Sequence, residues 1–276
     1  MAAGGSLTMT DGGISGGSVT GGLAGGVGAG AGSAAGSGMF LQNGTVTTFS
    51  VSGGNVATIS DAIAGDATQS AALAATGNGT GTSAIVKTGA GTLILTGANS
   101  YTGGTTVSAG ILQGNTASLP GNIINNAALV FDQATTGTYA GAISGTGAMT
   151  KQNTGTLILT GANSYTGGTT ISAGTLQGNS TSLQGNIVNN AALVFDQAAT
   201  GTYAGVISGT GTMTKQNAGT LTLTGANSYS GGTTIGGGTL LVAPSAFDRL
   251  GRACLERRHA RSQRRREHPD FRRPVG

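Results

Sequence analysis

Gly91–Thr106 reads GTLILTGANSYTGGTT, returns letter for letter at Gly155–Thr170, and returns again at Gly219–Thr234 as GTLTLTGANSYSGGTT. Both intervals are 64 residues. The repeated unit is larger than this run. Aligning Lys87–Thr150 with Lys151–Thr214 leaves 12 differences in 64 positions, most of them small swaps such as Val107 for Ile171 or Ala142 for Val206. A third unit opens at Lys215, and its pattern stops near Val242. Self-similarity at a fixed period marks an architecture of stacked supersecondary units, so the fold and the function are read from the unit.

Inside a unit the text alternates between short β-branched runs and Gly/Asn/Ser clusters. Strands are expected at Thr92–Thr96, Thr105–Ser108, Ile111–Gln113, Asn122–Ile124, Ala128–Phe131, Tyr139–Ile143 and Ala148–Lys151. Strands this short, separated by residues that tolerate positive φ, suit the corners of a parallel β-helix. The fold class is therefore all-β, a solenoid with short strands and Gly/Asn corners. At about 20 residues per coil the unit amounts to about three coils. Three coils per unit would stack equivalent residues, placing Leu93 and Leu95 in inward ladders with Leu157/Leu159 and Leu221/Leu223. Asn99, Asn163 and Asn227 would then share one corner.

Composition divides the chain further. Gly is 54 of 276 residues, aromatics are 4% and charged residues 8%, which is unlike an ordinary globule and fits shallow apolar clusters repeated coil by coil. Residues 1–38 are Gly/Ala/Ser-rich, either a flexible linker or a series of very short strands. Residues 39–86 are an irregular short-strand region, with strands at Phe40-Leu41, Thr45–Val51 and Asn55–Ile59 and a short helix or strand over Asp61–Ala75. Residues 87–243 hold the repeats, as 87–150, 151–214 and a partial 215–243. The net charge of +4 belongs to the rest. Lys87, Lys151 and Lys215 against Asp11, Asp61, Asp66, Asp132 and Asp196 give 3 − 5 = −2 for residues 1–247. Residues 244–276 carry all ten Arg, together with Cys254, His259 and His268. This Arg-rich tail has no trace of the repeat and reads as disordered or out of frame; its rival reading is a basic nucleic-acid arm, and no nucleic-acid partner is expected. No apolar run approaches the roughly 20 residues of a membrane span, and the N-terminus does not read as a signal peptide.

Candidate chemistry is sparse. Asp132 and Asp196 recur once per unit, and at three coils they would stand about 14 Å apart along the axis, beyond the spacing of a glycosidase pair. Surface solubility is the expected role for these two and for Lys87, Lys151 and Lys215. Ser100, Ser164 and Ser228 have no His in the body to activate them. The body has no Cys and no His for a zinc site, and the Gly pairs are not followed by the Asp pattern of a calcium repeat. Tyr101, Tyr165 and Tyr229 either form a stripe of contacts for a ligand or close the corner that carries them. Catalytic, cofactor-binding and metal residues are therefore all expected to be none, and no cofactor is implied.

The pattern K-x-G-x-G-T-L-x-L-x-G-x-N-x-Y-x-G-G-T-x-V-x-A-G-x-L resembles the passenger-associated repeat of bacterial autotransporters. Lys87–Leu93, Gly97–Thr105 and Ala109–Leu112 carry the likeness, and Lys151 and Lys215 begin further copies in which Gln-Asn replaces Thr-Gly. The resemblance implies a right-handed parallel β-helix, exposed on the Gram-negative cell surface or secreted through the outer membrane. It implies a non-catalytic structural segment that supports secretion and serves adhesion. Its partners would be its own C-terminal β-barrel translocator, a host-cell or matrix protein or glycan, and other copies of itself. No strands of the girdled type that build a barrel are legible here. A polysaccharide-acting enzyme on the same scaffold is the main rival, and a truncated product without function is the other.

Overall fold

In Thr92–Leu95 the side chains of Leu93 and Leu95 are buried while Thr92 and Ile94 are half-exposed. This is the period of a strand with one face on a core. The same alternation recurs at Ile111–Gly114, Ala128–Asp132 and Ala148–Gln152. A strand of four residues cannot bury much alone, so each pairs with the strand one coil before it and the strand one coil after it. The computed structural model describes residues 6–10, 38–41, 46–65 and 82–243. Among them there is no helix, and every strand pairing is parallel. The architecture is a parallel β-solenoid, as the alternation and the corner residues led one to expect. The Gly-rich residues 1–38 apart from strands Ser6–Thr10 and the start of Gly38–Leu41, the rest of the 61–75 segment beyond strand Ala62–Gly65, and the 244–276 tail lie outside the described residues.

Three faces enclose the core. The first sheet runs through Val46–Ser50, Ala84–Thr88, Thr105–Val107, Ile123–Asn125 and Ile143–Ser144. The second has eight strands, from Val56–Ile59 to Ile207–Ser208. The third runs from Gly137–Tyr139 to Thr233–Ile235. Beyond Ile143 the first face continues through irregular rungs, where Ser164 N donates to Ile143 O and Asn163 N to Thr181 O, into the sheet of Gly201–Tyr203, Thr220–Leu223 and Thr239–Val242. Leu, Ile, Phe, Met and Tyr side chains from all faces form one continuous core.

The number of coils per unit differs from expectation. On the first face Ile85 pairs with Thr105, Thr105 with Ile123 and Ile123 with Ile143, so three turns take 58 residues. Six of the 64 remain, one corner and one strand. A unit therefore makes three turns and one extra face. Ala84–Thr88 lies in the first sheet, its equivalent Ala148–Gln152 in the second, and Thr212–Gln216 in the third. The Leu93/Leu95 pair thus stacks on Ala57/Ile59 and Leu112, and not on Leu157/Leu159. Asn99, Asn163 and Asn227 bond to Ile63, Ile143 and Ile207, on three different faces. The physical cause is a corner at 140–142. It splits the expected strand Tyr139–Ile143 into Gly137–Tyr139 and Ile143–Ser144, which turn onto successive faces.

Residues before the first Lys join the same stack. Val46–Ser50 pairs with Ala84–Thr88 just as Ala128–Asp132 pairs with Ala148–Gln152. Ile63 O accepts from Ser100 N as Ile143 O does from Ser164 N. Residues 46–65 occupy the place that the end of a unit occupies later, with a sequence too diverged to align by eye.

Close stacking leaves no room at some corners. A Cβ on Gly141 would overlap the carbonyl oxygen of Gly121, one coil away, whereas one on Gly53 would meet nothing nearer than Ala90 Cβ at 3.5 Å. Gly141→Ala is expected to lower unfolding stability in urea by roughly 1–3 kcal/mol, the usual cost of overpacking. Gly53→Ala should change it by less than about 0.5 kcal/mol.

Candidate functional site

Each unit places its polar residues at the corner Gly97–Gly104 and at the strand that carries the motif lysine. Asn99 points inward, and its amide bridges two coils: Oδ1 accepts from Ile63 N at 2.7 Å and Nδ2 donates to Ser118 O at 2.7 Å. Asn163 repeats both bonds, to Ile143 N at 2.8 Å and Ser182 O at 2.6 Å. Asn227 keeps the bond from Ile207 N, while its Nδ2 finds no partner among the described residues. Unpaired backbone groups at buried corners cost about 1–3 kcal/mol each, so the asparagine is selected by what the corner leaves open. Asn125 and Asn189 do the same at another corner, donating to Ala148 O and Thr212 O.

Tyr101 and Tyr165 are buried, and their hydroxyls meet Thr105 Oγ1 and Thr169 Oγ1 at 2.7 Å. They close the corner that carries them and offer no stripe to a ligand. Tyr139 and Tyr203 stand edge-on to Phe131 and Phe195 with ring centroids 5.1 Å apart, and donate to Gly121 O and Gly185 O. Burial pushes the Tyr101 hydroxyl up to about 12, the bond to Thr105 opposing it. Tyr139 and Tyr203 are raised further, by burial first and then by Tyr101 and Tyr165 respectively.

The lysines correct the sequence reading. They were expected at the surface, yet Lys87, Lys151 and Lys215 are 0% exposed. Each points into the core between an aromatic and a β-branched neighbour in register: Phe49 and Val107, Phe131 and Ile171, Phe195 and Ile235. The aliphatic stem supplies packing, and the ammonium is carried to a corner where carbonyls converge. Lys87 Nζ donates to Thr88 O at 2.7 Å, Gly89 O at 2.8 Å and Ala109 O at 3.1 Å. Lys151 donates to Gln152 O, Asn153 O and Ala173 O, and Lys215 to Gln216 O, Asn217 O and Gly237 O. In each cage three donors meet three close acceptors, two on one coil and one on the next, and Lys215 adds a longer contact to Gln197 O at 3.4 Å. Burial lowers the pKa of all three lysines, and Asp132 and Asp196 act in the opposite sense on Lys151 and Lys215. The corner also explains the Thr-Gly to Gln-Asn exchange: Gly89 has φ +71°, and Asn153 and Asn217 hold φ 68° and 67° in its place. Asn is the residue that tolerates this region best after Gly.

Asp132 and Asp196 face outward, half-buried, on the second and third faces. Asp132 accepts from Gln113 Nε2 and Asn153 Nδ2, both at 3.0 Å, and Asp196 from Gln177 and Asn217. Both carboxylates are thus fixed by amides of neighbouring coils, and more than three coils and a change of face separate them. They do not form a pair. Ser100, Ser164 and Ser228 spend their backbone N–H groups on the preceding coil, at Ile63, Ile143 and Ile207. Among the described residues no three His, Cys, Asp or Glu side chains cluster as metal ligands. The lysine cage was beyond sequence reasoning. Its available signal was position: Lys151 falls two residues after Met149 in an alternating strand, which puts both on the inner face.

Two outcomes are expected in denaturant unfolding. Asn163→Ala leaves one N–H and one C=O unpaired and should cost roughly 2–4 kcal/mol, while Lys151→Met, which keeps the stem and orphans the carbonyls of Asn153 and Ala173, should cost about as much. The tyrosines set a pH dependence. A hydroxyl whose folded pKa lies above its unfolded value contributes stability that is complete below pH about 10 and lost as pH rises through the folded pKa. The stability difference between the parent chain and Tyr101→Phe should be constant up to about pH 10 and shrink above it, by up to roughly 3 kcal/mol for a shift from 10.0 to about 12.

The passenger-associated-transport-repeat family matches this chain at residues 85–113, 149–177 and 213–242, the three motif-bearing segments. Over 153 residues the chain is 47% identical to the adhesin BmaC autotransporter of Brucella suis biovar 1 (strain 1330). That match covers 45% of this chain and 4% of the adhesin, so the chain spans a small part of its relative's length. No solved structure matches. Every family match begins inside a lysine-bearing strand and ends in a strand that follows the Asn/Tyr corner, the two features that hold successive coils together. Residues 85–113, 149–177 and 213–242 thus match the passenger-associated-transport-repeat family, and the three segments build one parallel β-solenoid.

Proposed function

We propose that this segment is a non-catalytic stalk of an autotransporter, exposed on the Gram-negative surface or released from it, which supports secretion and carries adhesion to a host-cell or matrix protein or glycan. The observation that carries the reading is where the polar groups go. The motif asparagines and lysines bind backbone groups of adjacent coils, the tyrosines a threonine hydroxyl of their own coil, and the two repeat carboxylates are tied to amides. A hydrolase or lyase needs acids and bases converging on one exposed spot, and these residues converge on corners of the fold. The repeats instead suit folding that advances coil by coil, since each coil presents the edge on which the next one pairs. Emergence from a β-barrel translocator, one strand after another, fits such a sequence of events. The described body is almost uncharged, so recognition would rest on the Thr-, Gln- and Val-bearing outer columns of the sheets.

In the full-length parent protein, deletion of 151–214 and separately Lys151→Met with Lys215→Met should lower surface display, read by antibody labelling of intact cells. Binding per displayed molecule to immobilised matrix protein or glycan should fall with the deletion. Undiminished display in both variants would remove the secretion role. Release of reducing ends or unsaturated sugars from polysaccharide by the purified chain would overturn the non-catalytic reading.

A further inference from the structure

A unit of three turns plus one face has a consequence for any chain built from such units. Equivalent residues of successive units are displaced along the axis by three and one-third coils, about 16 Å at the rung spacing of a sheet. They are also turned by one face of three. The contacts at a unit boundary are the same on whichever face it falls. Ala148–Gln152 is received by Ala128–Asp132 on the second face, and Thr212–Gln216 by Ala192–Asp196 on the third, in identical register. Met149 then meets Thr169, and Met213 meets Thr233. Both buried lysines keep their cages through the turn. The stack therefore has no preferred face for a unit. Adding or removing one costs no mismatch.

We infer that the copy number of the 64-residue unit sets the azimuth of everything beyond it. One unit gained or lost turns the distal part of the rod by a third of a revolution and moves it about 16 Å, and three units restore the original direction after ten coils, about 48 Å. The near-identity of the units, 12 differences in 64 positions, makes whole-unit gain and loss the natural way for such a gene to vary. A partner that grips a proximal and a distal face of the same rod would then read the copy number in steps of three, whereas a partner that grips one face would read only length.

Thr96, Thr160 and Thr224 are equivalent, exposed, and sit at three different corners, with backbone N–H groups bonded to Ile59, Tyr139 and Tyr203. The test places nitroxide labels on cysteines at Thr96 and Thr160, or at Thr96 and Thr224, in the full chain carrying Cys254→Ser. It adds the Thr96–Thr224 pair in a chain in which Lys151–Thr214 is duplicated. Pulsed electron–electron dipolar spectroscopy then gives separations across one, two and three units. Rotation adds a corner-to-corner offset at one and two units and none at three. The two-unit distance should fall clearly short of twice the one-unit distance, and the three-unit distance should approach about 48 Å, the axial rise alone. Separations in the ratio one to two to three would overturn the inference. Loss of cooperative melting in the duplicated chain would overturn it equally, because a unit would then not be added without mismatch.

Discussion

Parallel pairing between strands one coil apart is the constraint on which the rest of this structure depends. A strand of three to five residues has too few side chains to hold itself, and its N–H and C=O groups need partners on both edges. Stacking supplies both at once. It also fixes what the corners must do, because the connections between strands, two to nine residues long within the repeats, must turn the chain and bring it back into register with the coil beneath. Residues with backbone freedom or with short polar side chains are the ones that manage this, which is why the chain is rich in Gly, Asn, Ser and Thr and poor in charge.

The repeated motif is a solution to that corner problem. Asn99 and Asn163 act as backbone surrogates, an acceptor and a donor placed where the corner interrupts the ladder. Tyr101 and Tyr165 fill the space behind the corner, and each finds a threonine hydroxyl four residues on. The lysine is the least expected member. A buried ammonium without a paired acid is costly in general, yet here three carbonyl dipoles converge on it and its stem packs between a phenylalanine and a β-branched residue. It clasps two coils where an amide would be too short to reach.

This allocation bears on function. Of the residues that would attract attention as catalytic, the lysine and the aspartate come to neighbouring strands of one face. There the ammonium is taken up by carbonyls and the carboxylate by amides, while the serine of the Asn-Ser-Tyr run sits at another corner. What the solenoid offers to the outside is length, flat sheet faces with hydroxyl, amide and small apolar groups, and a regular screw. Those attributes suit the stalk proposed above.

The sequence by itself determined the period, the all-β class, nearly all the strands of a unit and the family of the repeat, because each is written in local alternation and in an exact recurrence. It could not determine how many faces a unit traverses. That number depends on corners, and the corner at 140–142 is marked by a single glycine, Gly141, inside Tyr139–Ile143, which alternates well enough to pass for one strand and so gives a unit of nine sides and three whole turns. Folded, it is two strands on successive faces, giving ten sides and a unit that turns. The fate of Lys87, Lys151 and Lys215 was hidden for a related reason. Charge argues for the surface, and only the tertiary structure, by bringing carbonyls from two coils to one point, makes the interior the better place for an ammonium.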